Sequence, residues 1–476
     1  MLENHRPGAR GIAIILVLLT ALGPAALAQS GSYEKKAFTL EEAIEFALKN
    51  YPAVRAALER VTAAQAGVGL ARTNYLPKAD MIWQTNRATD NNVTGLLLPQ
   101  SIIAPISGPV PLSTSNRNAW GSAAGLLFSW EPVDFGYRGA KVAAARAARD
   151  QAAAESSLTR LDVAVATLNA YLAVLAARRT VSAAEADVQR RDTFDRAVRV
   201  LVDNQLRAGA DASRADAELA RARVNLARSQ QQEKFSQAAL ADILGLSDAN
   251  VEVQESSLLD LPHDEPPQAA PLSGNPVAQV QHARIEQSQS QVRLLDRSYY
   301  PKFYLQSSLY GRGSGWDPAG KFEGGTAGLG LDRSNWAVGL SVTFPAFDIF
   351  AIRSRKAVES ANARAEAARY DQTLQDLSGQ LRKAEASLEG SRRVAENTPL
   401  ELEAARATET QERARYQAGL ATLVDVSEAQ SLLVQAETDD ALARLAVWQN
   451  LASVAASHGD LAPFLQFLHN KTQGGP

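Results

Sequence analysis

Cysteine is absent from the 476 residues, which excludes disulfides, zinc–thiolate centres, cysteine nucleophiles and an N-terminally lipidated form of an exported chain. Histidine is scarce, and the five present (His5, His263, His282, His458, His469) are scattered, none with a second at ligand spacing. A nucleophile motif, a glycine-rich phosphate loop and a metal cluster are all missing. Neither an enzymatic activity nor a cofactor or metal is therefore expected. Aromatics make up only 6% of the chain, and alanine is heavily used, which favours closely packed helices over an aromatic-rich core. The net charge of −3 gives no reason to expect a nucleic-acid partner. Beyond the N-terminal leader no apolar run of about 18 residues stands out, so no further transmembrane helix is expected.

What is present begins with that leader. Arg6 and Arg10 precede the apolar run Gly11–Leu19, and small residues follow to Ala26-Leu27-Ala28, the pattern read by signal peptidase. Cleavage is expected after Ala28. The alternative, an uncleaved anchor, is disfavoured because the apolar core is short for a span. Removing residues 1–28, with Arg6, Arg10 and Glu3, takes the net charge from −3 to −4. An exported chain without a spanning helix is periplasmic, secreted, or built into the outer membrane as a β-barrel.

The chain is written twice, with repeats at 29–245 and 274–458, a proline-rich linker at 246–273 and a C-terminal tail at 459–476. Tyr75-Leu76-Pro77-Lys78 recurs as Tyr299-Tyr300-Pro301-Lys302, a shift of 224. Trp120 and Phe128 recur as Trp336 and Phe344, a shift of 216. Leu206-Arg207-Ala208-Gly209 matches Tyr416-Gln417-Ala418-Gly419, a shift of 210. In each copy a helix is expected to end at Pro77 or Pro301, the helix–strand junctions. Two short alternating segments follow, then a very long helix (near 138–206 and 350–416), a glycine, and a shorter helix.

The long helices carry a coiled-coil seam. Leu158, Leu161, Val165, Leu168, Leu172 and Leu175 step alternately by three and four, as do Tyr370, Leu374, Leu377, Leu381, Ala384 and Leu388. A helix of this length reaches roughly 100 Å at about 1.5 Å per residue, about three bilayer thicknesses. Gly209 and Gly419 sit where each hairpin must reverse, because glycine accepts positive φ cheaply.

The short segments, near 79–87, 119–130, 302–311 and 335–344, alternate with period two. Trp336, Val338, Leu340, Val342 and Phe344 face one way, and Ala337, Gly339, Ser341 and Thr343 the other. Apolar outward and small or polar inward, with aromatic ends, is the pattern of a transmembrane β-barrel strand. A strand of a soluble sandwich is the alternative for any one of them; four such segments behind an export signal favour the barrel. Four strands cannot close, and open edges in hydrocarbon leave backbone groups unpaired. Two or more copies must share one barrel, and the strand count alone does not choose between two, three and four.

Further motifs are Phe38-Thr39-Leu40-Glu41-Glu42-Ala43 leading to Leu48-Lys49-Asn50-Tyr51-Pro52, and Asp134-Phe135-Gly136-Tyr137-Arg138. Thr39 and Glu42 have capping-box spacing. With Tyr75-Leu76-Pro77 between them and Tyr416-Gln417-Ala418-Gly419 followed by Asp425-Val426 after them, the chain resembles the TolC-type outer-membrane efflux protein family. The resemblance implies a mainly α chain with a membrane β portion. It implies a homotrimer in which a 12-stranded β-barrel continues as a 12-helix α-barrel. Such a protein is a passive duct in the outer membrane, with most of its mass in the periplasm. It serves tripartite efflux or type I secretion, docked to a periplasmic adaptor (membrane fusion) protein and an inner-membrane pump. The competing reading is a periplasmic or secreted coiled-coil structural protein; a general diffusion porin is disfavoured because most of the chain is helix.

The resemblance also proposes working residues. Asp425 and Glu428, three apart on one helix face, correspond to acids lining the periplasmic mouth, against the plainer reading of a solvated face. Tyr416 stands at a latch tyrosine, but Ala421 replaces the basic partner expected two residues after Gly419. Leu206, Ala208, Gly209, Ala210 and Ala418, Gly419, Leu420 form the hairpin tips, expected to contact the adaptor or simply to turn tightly. Two departures stand out: Phe350 replaces the glycine of Asp-x-Gly in the second copy, and the acid after Gly209 falls at Asp216, one residue later than Asp425 after Gly419.

Overall fold

The computed structural model describes residues 37–89, 114, 116–246, 251–254, 258, 260–262, 271–317 and 321–473. The leader expected at 1–28, the apolar 93–112 loop and much of the linker lie outside the described residues. The first copy supplies β1 (Ala37–Phe38), α1 (Leu40–Asn50), α2 (Pro52–Thr73), β2 (Lys78–Thr89), β3 (Asn118–Val133), α3 (Tyr137–Asp203) and α4 (Gly209–Leu244). After β4 (Glu252–Val253) the second supplies α5 (Pro276–Ser298), β5 (Lys302–Ser314), β6 (Arg333–Thr343), α6 (Ile349–Gln417) and α7 (Leu423–His458), and α8 (Ala462–Gln473) ends the chain.

Local chemistry fixes the helix starts. Thr39 and Glu42 form the capping box, each side chain 3.2 Å from the other's backbone N–H. Pro52 and Pro276 take first-turn positions, where a missing N–H costs nothing. The helices before Pro77 and Pro301 stop sooner than expected, at Thr73 and Ser298. The residue ahead of a proline is pushed out of α geometry, so each helix unwinds before reaching it, and the strand begins directly after the proline, at Lys78 or Lys302.

Two long helices of 67 and 69 residues, α3 and α6, run the length of the molecule. Beside α3 lie α2 and α4 as two stacked pieces; α5 and α7 do the same for α6, and α3 also packs on α5 and α7. The α3 seam is deepest at Leu168, Leu172 and Leu175, inside a core shared with α1, α4, α7 and α8. There the Tyr171 hydroxyl lies 3.1 Å and 2.9 Å from the carbonyls of Phe38 and Gln254, tying in the parallel pair β1–β4. Trp448 is buried against Phe464 and Phe467 of α8 and donates its indole N–H to the Asp260 carbonyl at 3.0 Å. Residues read from sequence as linker and tail thus contribute a strand and a helix to this core.

One reading needs correction. An 18-residue window of α3 has a mean hydropathy of 1.4, enough by length and composition to cross a membrane. It is 56% buried within the protein, so its apolarity is that of a helix clad by neighbours. The long helix expected near 350–416 continues through an interior proline, Pro399. The ring removes one helical hydrogen bond, but Ala395 one turn earlier is fully buried and Thr398 donates to Asp440 at 3.2 Å, so neighbouring helices hold the segment helical.

The four longer strands form one antiparallel sheet, ordered β2-β3-β5-β6, with β2 and β6 as open edges. Its register builds continuous rows. Met81, Leu126, Leu309 and Trp336 stand opposite one another across all four strands, and Trp130, Leu305 and Leu340 form another row. All seven side chains are exposed, Met81 at 83% and Trp336 at 77%. Val338, Val342 and Phe344 extend the same bare apolar face. The opposite face is small and polar apart from a cluster of Ala123 and Leu127 with Ile82 and Tyr310.

Candidate functional site

At the end of the helices far from the sheet, each hairpin turns through the same motif. The Gln205 N–H donates to the Val202 carbonyl (2.9 Å) and the Leu206 N–H to that of Leu201 (2.9 Å); Gly419 and Leu420 do likewise to Tyr416 (3.0 Å) and Arg415 (2.8 Å). These are paired Schellman motifs, whose left-handed residues are Gln205 (φ 60°) and Gly419 (φ 78°). Gly209, expected to make the first reversal, is instead the first residue of α4 after the N-cap Ala208. The tips are therefore related by a shift of 214, not 210. In that register Leu206 matches Leu420, Ala208 matches Thr422, and Asp211 matches Asp425. Asp216, read as the first copy's counterpart acid, is ion-paired with Arg199.

The aligned tips are not chemically equal. Thr422 and Asp425 form a capping box at the start of α7, the carboxylate accepting from the Thr422 N–H (2.7 Å) and hydroxyl (2.8 Å). Those bonds, the backbone one first, hold the exposed Asp425 carboxyl below the usual carboxylate range. Glu428 lies one turn on and is exposed on the same face. Ala208 has no hydroxyl, so Asp211 is not drawn into a box. It accepts a hydrogen bond from the Tyr416 hydroxyl at 3.3 Å.

Tyr416 is the centre of this end. It is 1% exposed, packs edge-on against Phe194 (centroids 5.2 Å apart), and shares a small core with Val198, Ala215, Leu423 and Val426. Arg207, which matches Ala421, lies over its ring at 4.4 Å and donates to its carbonyl at 2.7 Å. Burial, and after it the Asp211 carboxylate, pushes the Tyr416 phenol above its ordinary value, so it stays protonated and a donor. A basic side chain thus reaches Tyr416 from the other hairpin of the same chain, although position 421 is alanine. Sequence inspection missed Arg207, Asp211 and Phe194. The equal Leu-to-Asp spacing in Leu206–Asp211 and Leu420–Asp425 would have revealed the register, had the tips not been aligned on their glycines.

Above the tips the hairpins are stapled by charge. Buried Arg191 bonds Asp187 (3.0 Å), Glu218 (3.1 Å) and the Ser431 hydroxyl (3.1 Å), joining α3, α4 and α7. Arg190 meets Glu437 of α7 at 2.8 Å. The apex leucines stay bare, Leu206 at 69% and Leu420 at 71% exposed, flanked by the small Ala208, Ala210 and Ala418.

At the other junction, Asp134 caps α3, accepting from the Gly136 N–H (3.2 Å) and from the Arg138 N–H (2.5 Å) and guanidinium (3.0 Å). Gly136 is left-handed at φ 89°. The second copy needs no glycine there, because α6 starts at Ile349 after an Asp348 of right-handed geometry.

A duplicated chain of this shape, with a bare apolar sheet at one end and pinned hairpin tips at the other, matches the family model described as "Outer membrane efflux protein" over residues 43–246 and 270–460. The chain belongs to the outer membrane efflux protein family. Its place is the outer membrane, and the family is one of transport proteins, not structural coiled coils. Protein CyaE of Bordetella pertussis is 25% identical over 432 residues, covering 89% of this chain and 84% of that one. Among solved structures, the CmeC outer membrane channel of Campylobacter jejuni superposes with a TM-score of 0.73 at 18% identity, covering 90% of both chains. The outer membrane protein VceC of Vibrio cholerae gives 0.69 at 20% identity, covering 88% of this chain and 96% of that one. The open state of the MtrE outer membrane channel of Neisseria gonorrhoeae gives 0.68 at 20%, with 88% and 89% covered. These structural likenesses concern the fold.

Proposed function

We propose that three copies of this efflux protein close into one passive duct through the outer membrane and periplasm. The observation that carries this is the open four-stranded sheet with its exposed apolar face. In lipid each unpaired edge group costs several kcal/mol, and a closed barrel needs at least about eight strands. Three sheets supply twelve strands. Because β2 and β6 run in opposite directions, pairing β6 of one chain with β2 of the next continues the antiparallel alternation. Likewise each chain adds four helical columns to a periplasmic tube of twelve.

The tube narrows at the hairpin tips. Asp425 and Glu428 form its electrostatic mouth, three copies focusing negative potential in a narrow passage and favouring cations. Tyr416, held by Arg207 and Asp211, is the latch between hairpins, and Leu206 and Leu420 with the small residues around them meet the periplasmic adaptor. The inner-membrane pump supplies the energy to this passive duct.

Mass measurement in detergent tests the architecture. The expected species is a heat-modifiable trimer of the mature chain; a monomer that retains its strand content refutes the reading.

A further inference from the structure

The inward face of the sheet carries a juxtaposition unrelated to closing a barrel. Arg312, two residues before the end of β5, stands directly opposite Arg333, the first residue of β6. Strand parity puts both on the face of Tyr310 and Ser308, opposite Leu309 and Trp336. Arg312 is ten residues beyond Lys302, so the pair lies about 33 Å along the strand from the helices, at the outer end of the lumen.

Like charges facing each other across a sheet are destabilising, so this placement calls for a compensating partner. Among the described residues neither guanidinium makes an ion pair. The surrounding inward positions are also short of acceptors. Gln84 shares the arginines' row across Ala123, and Asn335 is two residues from Arg333 on the same face. The Gln84 Nε2, the Asn335 Nδ2 and the hydroxyls of Ser308 and Ser314, all inward by parity, are buried polar atoms without a hydrogen-bond partner. An inward acid, Asp80, lies two strands from β5 in the row of Ser308. The patch is therefore rich in donors, and its unsatisfied groups are of the kind an anion would saturate.

We propose that the outer lumen of each protomer is an anion site, built on Arg312 and Arg333 with the donors of Gln84 and Asn335, that takes phosphate- or sulfate-bearing solutes. It rests on the trimeric duct reading, in which three copies give a ring of six guanidiniums. The polarity is opposite to that of the acidic mouth at the hairpin tips. Cargo entering past carboxylates thus leaves past guanidiniums, and an anionic solute outside has a binding place in the exit. Because this face is lumenal, the ligand is a solute and not a lipid headgroup.

The test uses the full mature protein in planar bilayers, with inorganic tripolyphosphate added to one side at a time. At low salt, block is expected from the outer side at lower concentration than from the periplasmic side. It should weaken at least ten-fold in Arg312→Gln/Arg333→Gln and survive in Arg312→Lys/Arg333→Lys. Lys302→Gln, inward but at the helix end of the barrel, should leave the outer-side block intact. At 1 M salt, where screening shortens to about 3 Å, block should vanish in parent and variants alike. Normal conductance without outer-side block, or equal block in the glutamine variant, overturns the anion site alone. A reconstituted protein with no conductance overturns the duct and the site with it.

Discussion

Removing the arginine that pins Tyr416 should release the tip. In Arg207→Ala a hydrogen bond from a charged donor to the Tyr416 carbonyl (2.7 Å) and a guanidinium stacked at 4.4 Å are both lost. A hydrogen bond to a charged group contributes about 1.5–3 kcal/mol, and an exposed cation–π contact about 0.5–1 kcal/mol. Arg207 is half-buried, so the lower ends apply, giving about 2 kcal/mol. At about 1.4 kcal/mol per factor of ten, the ratio of released to pinned tips should rise roughly thirty-fold. Single-channel recording reads this as a larger open fraction. Tyr416→Phe keeps the ring and removes only the long bond to Asp211, so about 1 kcal/mol and a rise of about five-fold are expected. Ala208→Thr probes the same bond from the other side. A hydroxyl at that N-cap should draw Asp211 into a capping box like that of Asp425 and raise the open fraction with Tyr416 untouched. Melting should barely change in any of the three, because the clamp joins hairpins that are also stapled by Arg190 and Arg191. An Arg207→Ala channel with the parent's open fraction would refute the reasoning.

The remaining expectations are more direct. Leu340→Arg or Val342→Arg should impair membrane assembly, an arginine facing mid-bilayer costing about 2–4 kcal/mol per chain, whereas Ser341→Arg on the inward face should assemble; equal yields of heat-modifiable oligomer would contradict the strand faces. Asp425→Ala with Glu428→Ala should lower cation selectivity and weaken block by multivalent cations from the periplasmic side, with parent and variant converging at 1 M salt; unchanged low-salt selectivity would make these acids a solvated face. Gln205→Gly should stabilise the first tip by about 1 kcal/mol and Gly419→Ala destabilise the second by a similar amount, while Gly209→Ala should not destabilise, all read by amide exchange at the hairpin ends. The Asp425 carboxyl is held below its ordinary 3.8 in the folded chain, so its capping contribution is present above that pH and fades as pH falls through the folded value. Protection of the first turn of α7 should therefore drop in acid, less so in a Thr422→Ala chain, which keeps only the backbone bond, and not at all in an Asp425→Ala chain.

Much of this architecture was legible because two periodicities are hard to disguise. Trp336 to Phe344 alternates because a strand with one apolar and one small or polar face has a period of two, and Leu158 to Leu175 repeats because a long helix with one covered seam imposes 3.5. What escaped was set by tertiary context. Residues 462–473 have little of their own to declare a helix; burial of Trp448 against Phe464 gives them one. The α3 window dense enough to pass for a membrane span went unnoticed because its apolar residues serve the core around Tyr171.

The tips show why residue identity misled where geometry would not. Matching Gly209 to Gly419 assumes that glycine marks the reversal, yet the first copy makes the same Schellman turn with Gln205 in the left-handed position. The strain of a non-glycine residue there is about 1–2 kcal/mol, small enough for a well-packed hairpin to carry. Once the copies are aligned on the turn, position 416 holds tyrosine where the first copy has Val202, and position 207 holds arginine where the second has Ala421. Each hairpin therefore keeps half of a contact that neither can make with itself. The lack of a hydroxyl at Ala208 completes the division, since it leaves Asp211 without a cap to form and available to the Tyr416 phenol. The two tips are thus unequal, one supplying the tyrosine and the other the arginine and the acid. Neither copy carries the whole contact by itself.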